Sequence, residues 1–366
     1  MKKFISIVLL IGMIAGGCKE GPKLVSCNFD EQTMLTNYAD NIIIPRFKEL
    51  KASLLELQTA VNAFNATPTA TTLNDLRASF SNAYLNYEDC GTFAFGPGLI
   101  NGVPFRERMN TFPVDENGVN ENVQNGILVS NASKAEVGFP SIGYLIFGSP
   151  STTDSDLIDL FTVDANAEKR KSYLLAMVTE MTTVSSQIVL DWVSYRSTFI
   201  ASTGTADGSS VSLLLNQINF DFETLKNFKF KIPLGKFNGG IVVPASVEGY
   251  YSGLSMQLAT RQIVALSNFY QGIGENKADN LGLHEYMICL DTKYNDELLA
   301  DTILSQFESI KDAFKLIADP LSQTLLSNKA AVETAYKAMQ EMVPLIKYEM
   351  TTAMGVQINY QDSDGD

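Results

Sequence analysis

From about Met34 onward the chain is a succession of apolar seams at helical spacing. Ile43, Phe47, Leu50, Leu54, Leu57, Val61 and Phe64 alternate steps of four and three, which predicts a helix from about Met34 to Phe64 that turns one face to a core. Pro45 lies inside that span, so a kink or break is expected near Ile44. Thr67-Pro68-Thr69 makes a turn with capping residues, and a second helix is expected from about Leu73 to Phe93. Phe95-Gly96-Pro97 ends it, and a glycine-rich loop runs to about Pro113. Shorter helical pieces are expected at about Glu121 to Glu136 and after Pro140. A long one, about Asn166 to Ile200, carries the seam Leu174, Val178, Met181, Ile188, Trp192, Tyr195 and Phe199.

Residues 202–210, Ser-Thr-Gly-Thr-Ala-Asp-Gly-Ser-Ser, are the most linker-like stretch after the N-terminus. Beyond them the same style resumes. Helices are expected at about Val211 to Phe228, Ser246 to Tyr270, Gly282 to Cys289, Glu297 to Ala318 and Lys329 to Met354. Only Ile241-Val242-Val243 has the composition of a strand, and it is short and flanked by Gly240 and Pro244. The expectation is an all-α protein of two similar four-helix-bundle-like domains, residues 31–201 and 211–366.

One stretch departs from ordinary amphipathic helix. In Val137-Gly-Phe-Pro-Ser-Ile-Gly-Tyr-Leu-Ile-Phe-Gly148 two glycines and a proline interrupt an apolar run. Pro140 is suited to the first turn of a helix, where its missing N–H costs nothing, and Gly138 can supply an unusual backbone angle before it. On residue physics alone this is a short buried helix. It also resembles the signature of the imelysin-like family, in which a glycine is followed two residues later by histidine, three further on by glutamate, and then by Tyr-Leu, two apolar residues and glycine. Gly138, Tyr144, Leu145, Ile146, Phe147 and Gly148 keep that frame, whereas Pro140 stands at the histidine position and Gly143 at the glutamate position. Other segments are similar to the family in the same order: Tyr38 to Pro45, Phe95-Gly-Pro97, Ile232-Pro-Leu-Gly235, Glu248 with Ser252 and Ser255, and Asp364-Gly-Asp366. The resemblance implies two four-helix bundles arising by duplication, with the signature toward the groove between them. It also implies an association with iron or haem acquisition, and in some members a peptidase activity.

The N-terminus changes the picture of where the protein works. Lys2 and Lys3 precede an apolar run, Phe4 to Ile14, that is too short to span a bilayer and suits a signal peptide. It ends in Ala15-Gly16-Gly17-Cys18, which resembles a bacterial lipobox. Residues 1–17 are therefore expected to be a lipoprotein signal, Cys18 the lipidated residue that tethers the protein to a membrane of the cell envelope, and residues 18–30 a tether. The outer membrane is the expected site, with the periplasmic or surface face open. The remaining cysteines, Cys27, Cys90 and Cys289, allow one disulfide with one free thiol, or three buried thiols. Their spacing matches no zinc pattern.

Hydrophobic residues make up 45% of the 366 residues and charged residues 19%, so a packed core is expected. The net charge of −14 becomes −16 once Lys2 and Lys3 are removed, which argues against nucleic-acid partners. His284 is the single histidine. A serine or cysteine triad would have to use it, and the zinc-peptidase pattern fails because Ile288 stands where a second histidine is needed. Gly282-Leu283-His284 echoes the first half of the family signature, but Met287 takes the glutamate position, and Glu285, adjacent on a helix, is not expected to face His284. Glu88, Asp89 and Glu136 are the carboxylates near helix ends leading to Gly138, while Glu248, Ser252 and Ser255 are spaced for one helix face. These residues and His284 are the candidates for lining a ligand groove beside Gly138, Pro140, Gly143 and Tyr144. No catalytic residue, resident cofactor or metal ligand set is expected, beyond weak cation binding. A small ligand, a peptide or an iron- or haem-uptake protein is the expected partner, and a divergent metallopeptidase and a structural envelope scaffold are the rival readings.

Overall fold

The computed structural model describes residues 27–360 except 277 and 279. The signal segment, Cys18 and the closing Asp364-Gly-Asp366 lie outside the described residues. The architecture is all-α. Among the described residues the β structure comprises two short antiparallel hairpins, β1 (Leu99–Ile100) with β2 (Val103–Pro104) and β3 (Lys293–Tyr294) with β4 (Glu297–Leu298), and residues 241–243 form no strand.

The first long rod is α1 (Glu31–Asn37), a π-helical stretch over Tyr38–Ile43, and α2 (Ile44–Ala66). Pro45 falls in the first turn of α2, so the kink expected there takes the form of the π turn, in which Ile44 N–H bonds Ala39 O, five residues back. The apolar seam read from the sequence is buried throughout: Phe47, Leu50, Leu54, Leu57, Val61 and Phe64 are inaccessible to solvent. It lies between α3 (Ala70–Glu88) and α8 (Ala167–Ala201). Thr69 caps α3 by accepting from Thr72 N–H at 3.2 Å. Between α3 and α8 come α4 (Arg106–Met109), α5 (Glu116–Asn125), α6 (Gly138–Phe147) and α7 (Asp154–Leu160). The helix expected over 121–136 stops at Gly126, which takes the left-handed conformation, and the chain continues in short 3₁₀ turns.

In the second half α9 (Ser210–Thr224) runs into a π-helical stretch over Leu225–Lys231 that ends just before Ile232-Pro233. Ile232 N–H bonds Asn227 O, again five residues back, so the device seen at Ile44-Pro45 occurs a second time. Then follow α10 (Ser255–Gln271), α11 (Leu283–Leu290), α12 (Leu299–Phe314), α13 (Leu321–Ser327), α14 (Lys329–Val343) and α15 (Thr351–Met354), with a third π stretch over Pro344–Met350. The helix expected from Ser246 begins only at Ser255, because Gly249 (φ +61°) and Gly253 (φ +70°) hold residues 247–254 in turns. Glu248 and Ser252 are therefore not on a helix face with Ser255.

The two halves share one continuous core. Several contacts fasten them, among them the following. The end of α3 packs on α10, and the 3₁₀ turn that follows it, Gly91–Phe93, packs on α9. Cys27 is bonded to Cys289, with Cα atoms 5.7 Å apart, and Cys90 remains a buried thiol. Beside the disulfide Phe29 stacks on Tyr286 at 4.4 Å, and Tyr286 Oη donates to Glu31 at 2.6 Å. This bridge closes a 262-residue separation and so restricts the unfolded chain strongly. Replacing Cys27 and Cys289 together by serine is expected to cost about 2–4 kcal/mol. Denaturant unfolding of variant and parent, each oxidised, measures it; equal midpoints would show that the bridge contributes nothing.

Candidate functional site

The signature helix α6 meets the second half at the end of α3. Gly138 has φ +80°, and a Cβ there would stand 2.3 Å from Met109 O, so only glycine lets the start of α6 lie against the backbone of α4. That approach brings Asn110, which follows α4, next to α3. Phe139 stacks face to face on Tyr84, centroids 4.5 Å apart.

From there a run of polar contacts, closed into a ring by one turn of α3, passes through the protein. Tyr84 Oη donates to Asn110 Oδ1 at 2.6 Å, and Asn110 Nδ2 donates to Glu248 Oε1 at 2.6 Å. Lys229 Nζ lies 2.6 Å from Glu248 Oε2 and 2.7 Å from Glu88 Oε2. Glu88 sits one helical turn after Tyr84 on α3, which completes the ring. Glu88, Lys229 and Glu248 are 2, 3 and 1% exposed, so water screens none of these charges. Burial, reinforced by the charge of Glu248, pushes the Glu88 carboxyl well above its usual range even though Lys229 pulls it down. Burial also works against the Lys229 ammonium, but the two glutamates outweigh it and raise its value, so the lysine keeps its charge. Burial and the same carboxylates push the Tyr84 phenol far up, which keeps it a hydrogen-bond donor.

Two further contacts leave the same end of α3. Asp89 pairs with Arg46 at 3.5 Å and with Arg261. Thr92 Oγ1 donates to Asp221 Oδ2 at 2.8 Å, and Gln262 Nε2 donates to Asp221 Oδ1 at 3.0 Å. Burial raises Asp221, with these bonds and the nearby Arg106 opposing it.

Pro140 and Gly143 border a narrow cleft beside the ring, with Tyr84 and Phe139 on one side and Tyr250, Tyr251 and Ser252 of the second half on the other. Its free volume is about 10 Å³, the lower limit for a single water molecule. Tyr144 and Tyr251 close its edge with rings 5.2 Å apart, held by Asn120 Nδ2 donating to Tyr144 Oη and Tyr251 Oη donating to Glu116, both at 2.7 Å.

The other candidates lie apart from this ring. Glu136 caps its own 3₁₀ turn through Ser133 N–H at 2.9 Å and accepts from Asn122 at 2.7 Å. Burial opposes its ionisation, but the hydrogen bonds from Ser133 and Asn122 prevail and hold it below the usual value. Ser255 Oγ donates to Glu248 O at 2.5 Å, and Ser252 Oγ donates to Gly249 O at 3.2 Å, so both serines brace the turn carrying Glu248. His284 does meet Glu285, Nδ1 to Oε1 at 3.0 Å, contrary to the helix-spacing argument. Glu285 curls back to accept from Gly282 N–H at 2.7 Å at the helix start, and this carries its carboxylate past the adjacent imidazole. His284 Nε2 also lies 3.3 Å from Asp301. The hydrogen bond to Glu285 raises its pKa, burial opposes, and Asp301 adds to the rise. Among the described residues no group of three or more His, Cys, Asp and Glu side chains is placed to hold a metal.

A model of the imelysin family, described as a peptidase M75 family, matches residues 43–347. The chain belongs to the imelysin family. It is 22% identical over 355 residues to iron-regulated protein A of Synechococcus elongatus, covering 90% of this chain and 92% of that protein. Its fold is similar to the crystal structure of a putative iron-regulated protein A precursor from Parabacteroides distasonis, with TM-score 0.73, 18% identity, and 88% of this chain and 95% of that one covered. It is likewise similar to an imelysin-like protein from Psychrobacter arcticum, with TM-score 0.70, 16% identity, and 92 and 100% covered.

Sequence reasoning singled out Glu88 and Glu248 but missed the residues that join them, Lys229 and Asn110. For Lys229 a signal exists. Ile218, Phe222, Leu225 and Lys229 follow steps of four, three and four, so the lysine interrupts a buried seam. For Asn110, in a loop, there is none.

The two signature glycines should respond differently to alanine. Gly138→Ala puts a side chain at positive φ against a carbonyl and should destabilise by about 2 kcal/mol or more. At Gly143 a Cβ makes an ordinary 3.5 Å contact with Phe80, so Gly143→Ala should stay within about 1 kcal/mol of the parent. Paired denaturant melts test this, and equal losses would refute the role given to Gly138. His284 supplies a pH test. Because its folded value is raised, its stabilisation is complete below the unfolded value of about 6.5 and is lost as pH rises through the folded value. The stability advantage of the parent over His284→Gln should therefore shrink as pH rises from about 6.5 through the raised folded value; an advantage that grows would contradict the assignment.

Proposed function

We propose that this imelysin is a ligand- or partner-binding protein of the bacterial cell envelope with a role in iron or haem acquisition, not a peptidase. The observation carrying the reading is the chemistry at the signature positions. Pro140 and Gly143 have no side-chain donor and border an aromatic-lined cleft, so a cation there would find no ligand from the signature helix. Two of the buried carboxylates of the neighbouring ring, Glu88 and Glu248, are already paired with Lys229. The residues therefore do not fit the metal that a peptidase of this family would require, and no hydrolytic step is derived. The names of the Synechococcus and Parabacteroides relatives support the link to iron. The occupant we favour is an apolar small ligand or the side chain of a partner protein. It would be admitted when the Tyr250–Tyr251 turn, flanked by Gly249 and Gly253 in left-handed conformations, swings off α6.

Lipid anchoring at Cys18 in the outer membrane belongs to the same proposal. The Lys2 to Cys18 pattern supports it, as does the Cys27–Cys289 disulfide, which suits an oxidising compartment. Duplication of two domains, 31–201 and 211–366, is supported by the repeated π turn before Ile44-Pro45 and Ile232-Pro233.

Elemental analysis of mature protein purified without chelator, followed by calorimetric titration with iron and zinc, tests the metal-free reading. No stoichiometric metal and no binding heat are expected. Metal held near one equivalent at micromolar affinity would overturn it.

A further inference from the structure

We infer that Glu88 and Glu248 form a cation seat at the junction of the two halves, and that in this chain the ammonium of Lys229 is its occupant. The inference rests on the metal-free reading and goes further, by naming the positive group that these carboxylates hold.

The argument is one of charge and space. Two carboxylates, one from α3 and one from the 247–254 turn, converge within 2.7 Å of a single nitrogen. All three groups are at least nine-tenths buried. Two buried carboxylates facing each other must be neutralised by a proton or by a cation, and here the Lys229 ammonium lies against both. A lysine ammonium is a compact point charge with three donors. Lys229 uses it to bridge oxygens supplied by both halves, as a hard cation bridges carboxylates. Glu88 Oε1 is buried and has no hydrogen-bond partner, and Asn110 supports Glu248 from the side away from the lysine. The seat thus keeps unused oxygen capacity that one ammonium cannot fill.

It follows that shortening Lys229 should uncover a divalent-cation site of oxygen ligands where the parent has none. Lys229→Ala leaves both glutamates in place and vacates the volume of the side chain for an ion with its waters. Manganese is the probe for binding, read by loss of the free-ion electron paramagnetic resonance signal, and thermal melts are run with and without manganese or calcium. The parent should bind no manganese tightly and melt at the same temperature in either medium. Lys229→Ala should melt lower, recover part of the loss with either ion, and bind one manganese at least about tenfold more tightly than the parent. In Lys229→Ala/Glu88→Gln, with one carboxylate neutralised, the rescue by metal should disappear.

The outcomes separate the two claims. Tight stoichiometric manganese on the parent would overturn the metal-free reading itself. A parent that ignores manganese together with a folded Lys229→Ala that also ignores it would overturn the cation seat alone. Should Lys229→Ala fold only when metal is present, the seat is supported. Should it stay unfolded with and without metal while the double variant folds, or should neither variant fold in either medium, the seat is refuted.

Discussion

The contact on which the rest of this structure turns is the Lys229 ammonium held between Glu88 and Glu248. It joins α3 to the π stretch after α9 and to the turn before α10, and it does so where no water can substitute for a missing partner. Tyr84 and Asn110 close the ring and tie it to the signature helix, through the hydrogen bond between them and the stacking of Tyr84 on Phe139. Burying three charges is a poor route to stability, since apolar residues of similar volume would serve as well or better. What it does supply is specificity of registration. Glu88 finds a matching charge in only one alignment of α3 against the second half, and the neighbouring Asp89–Arg261 and Thr92–Asp221 contacts repeat the constraint.

The same arrangement explains how the structure around α6 holds together with no side-chain donor at Pro140 or Gly143. Gly138 remains necessary because the backbone of Met109 passes too close for any side chain, whatever the chemistry at positions 140 and 143. Tyr144 remains because it packs on Tyr251 and accepts from Asn120. The frame residues are thus held by packing, which is independent of the task of the cleft. Pro140 and Gly143 border that cleft, are themselves buried, and offer it no side-chain donor.

Much of this was legible in the chain. Helical seams such as Phe47 to Phe64 declare their class because the buried face repeats every three or four residues, and they are buried as the spacing requires. Pro45 located the irregular turn. The errors occurred where glycine overrides periodicity. Gly126 truncates α5, and Gly249 with Gly253 holds Glu248 off the helix that spacing suggested. The reading of His284 failed for a related reason: ideal spacing says nothing about a carboxylate that curls back to cap a helix start.

The sequence by itself determined the helical class, the family frame and the absence of donors at Pro140 and Gly143, because each is a property of residue identity at short spacing. Only the tertiary structure decided which cysteines pair and which carboxylates converge. It also decided that a lysine from one half neutralises glutamates from two distant segments. Glu88, Lys229 and Glu248 are separated by 141 residues and by 19 along the chain, and no local pattern encodes which charge will meet which. Their meeting is fixed by how the end of α3 packs against α10 and the Gly91–Phe93 turn against α9, and buried charge then makes that packing selective, because an unpaired partner has nowhere to find water.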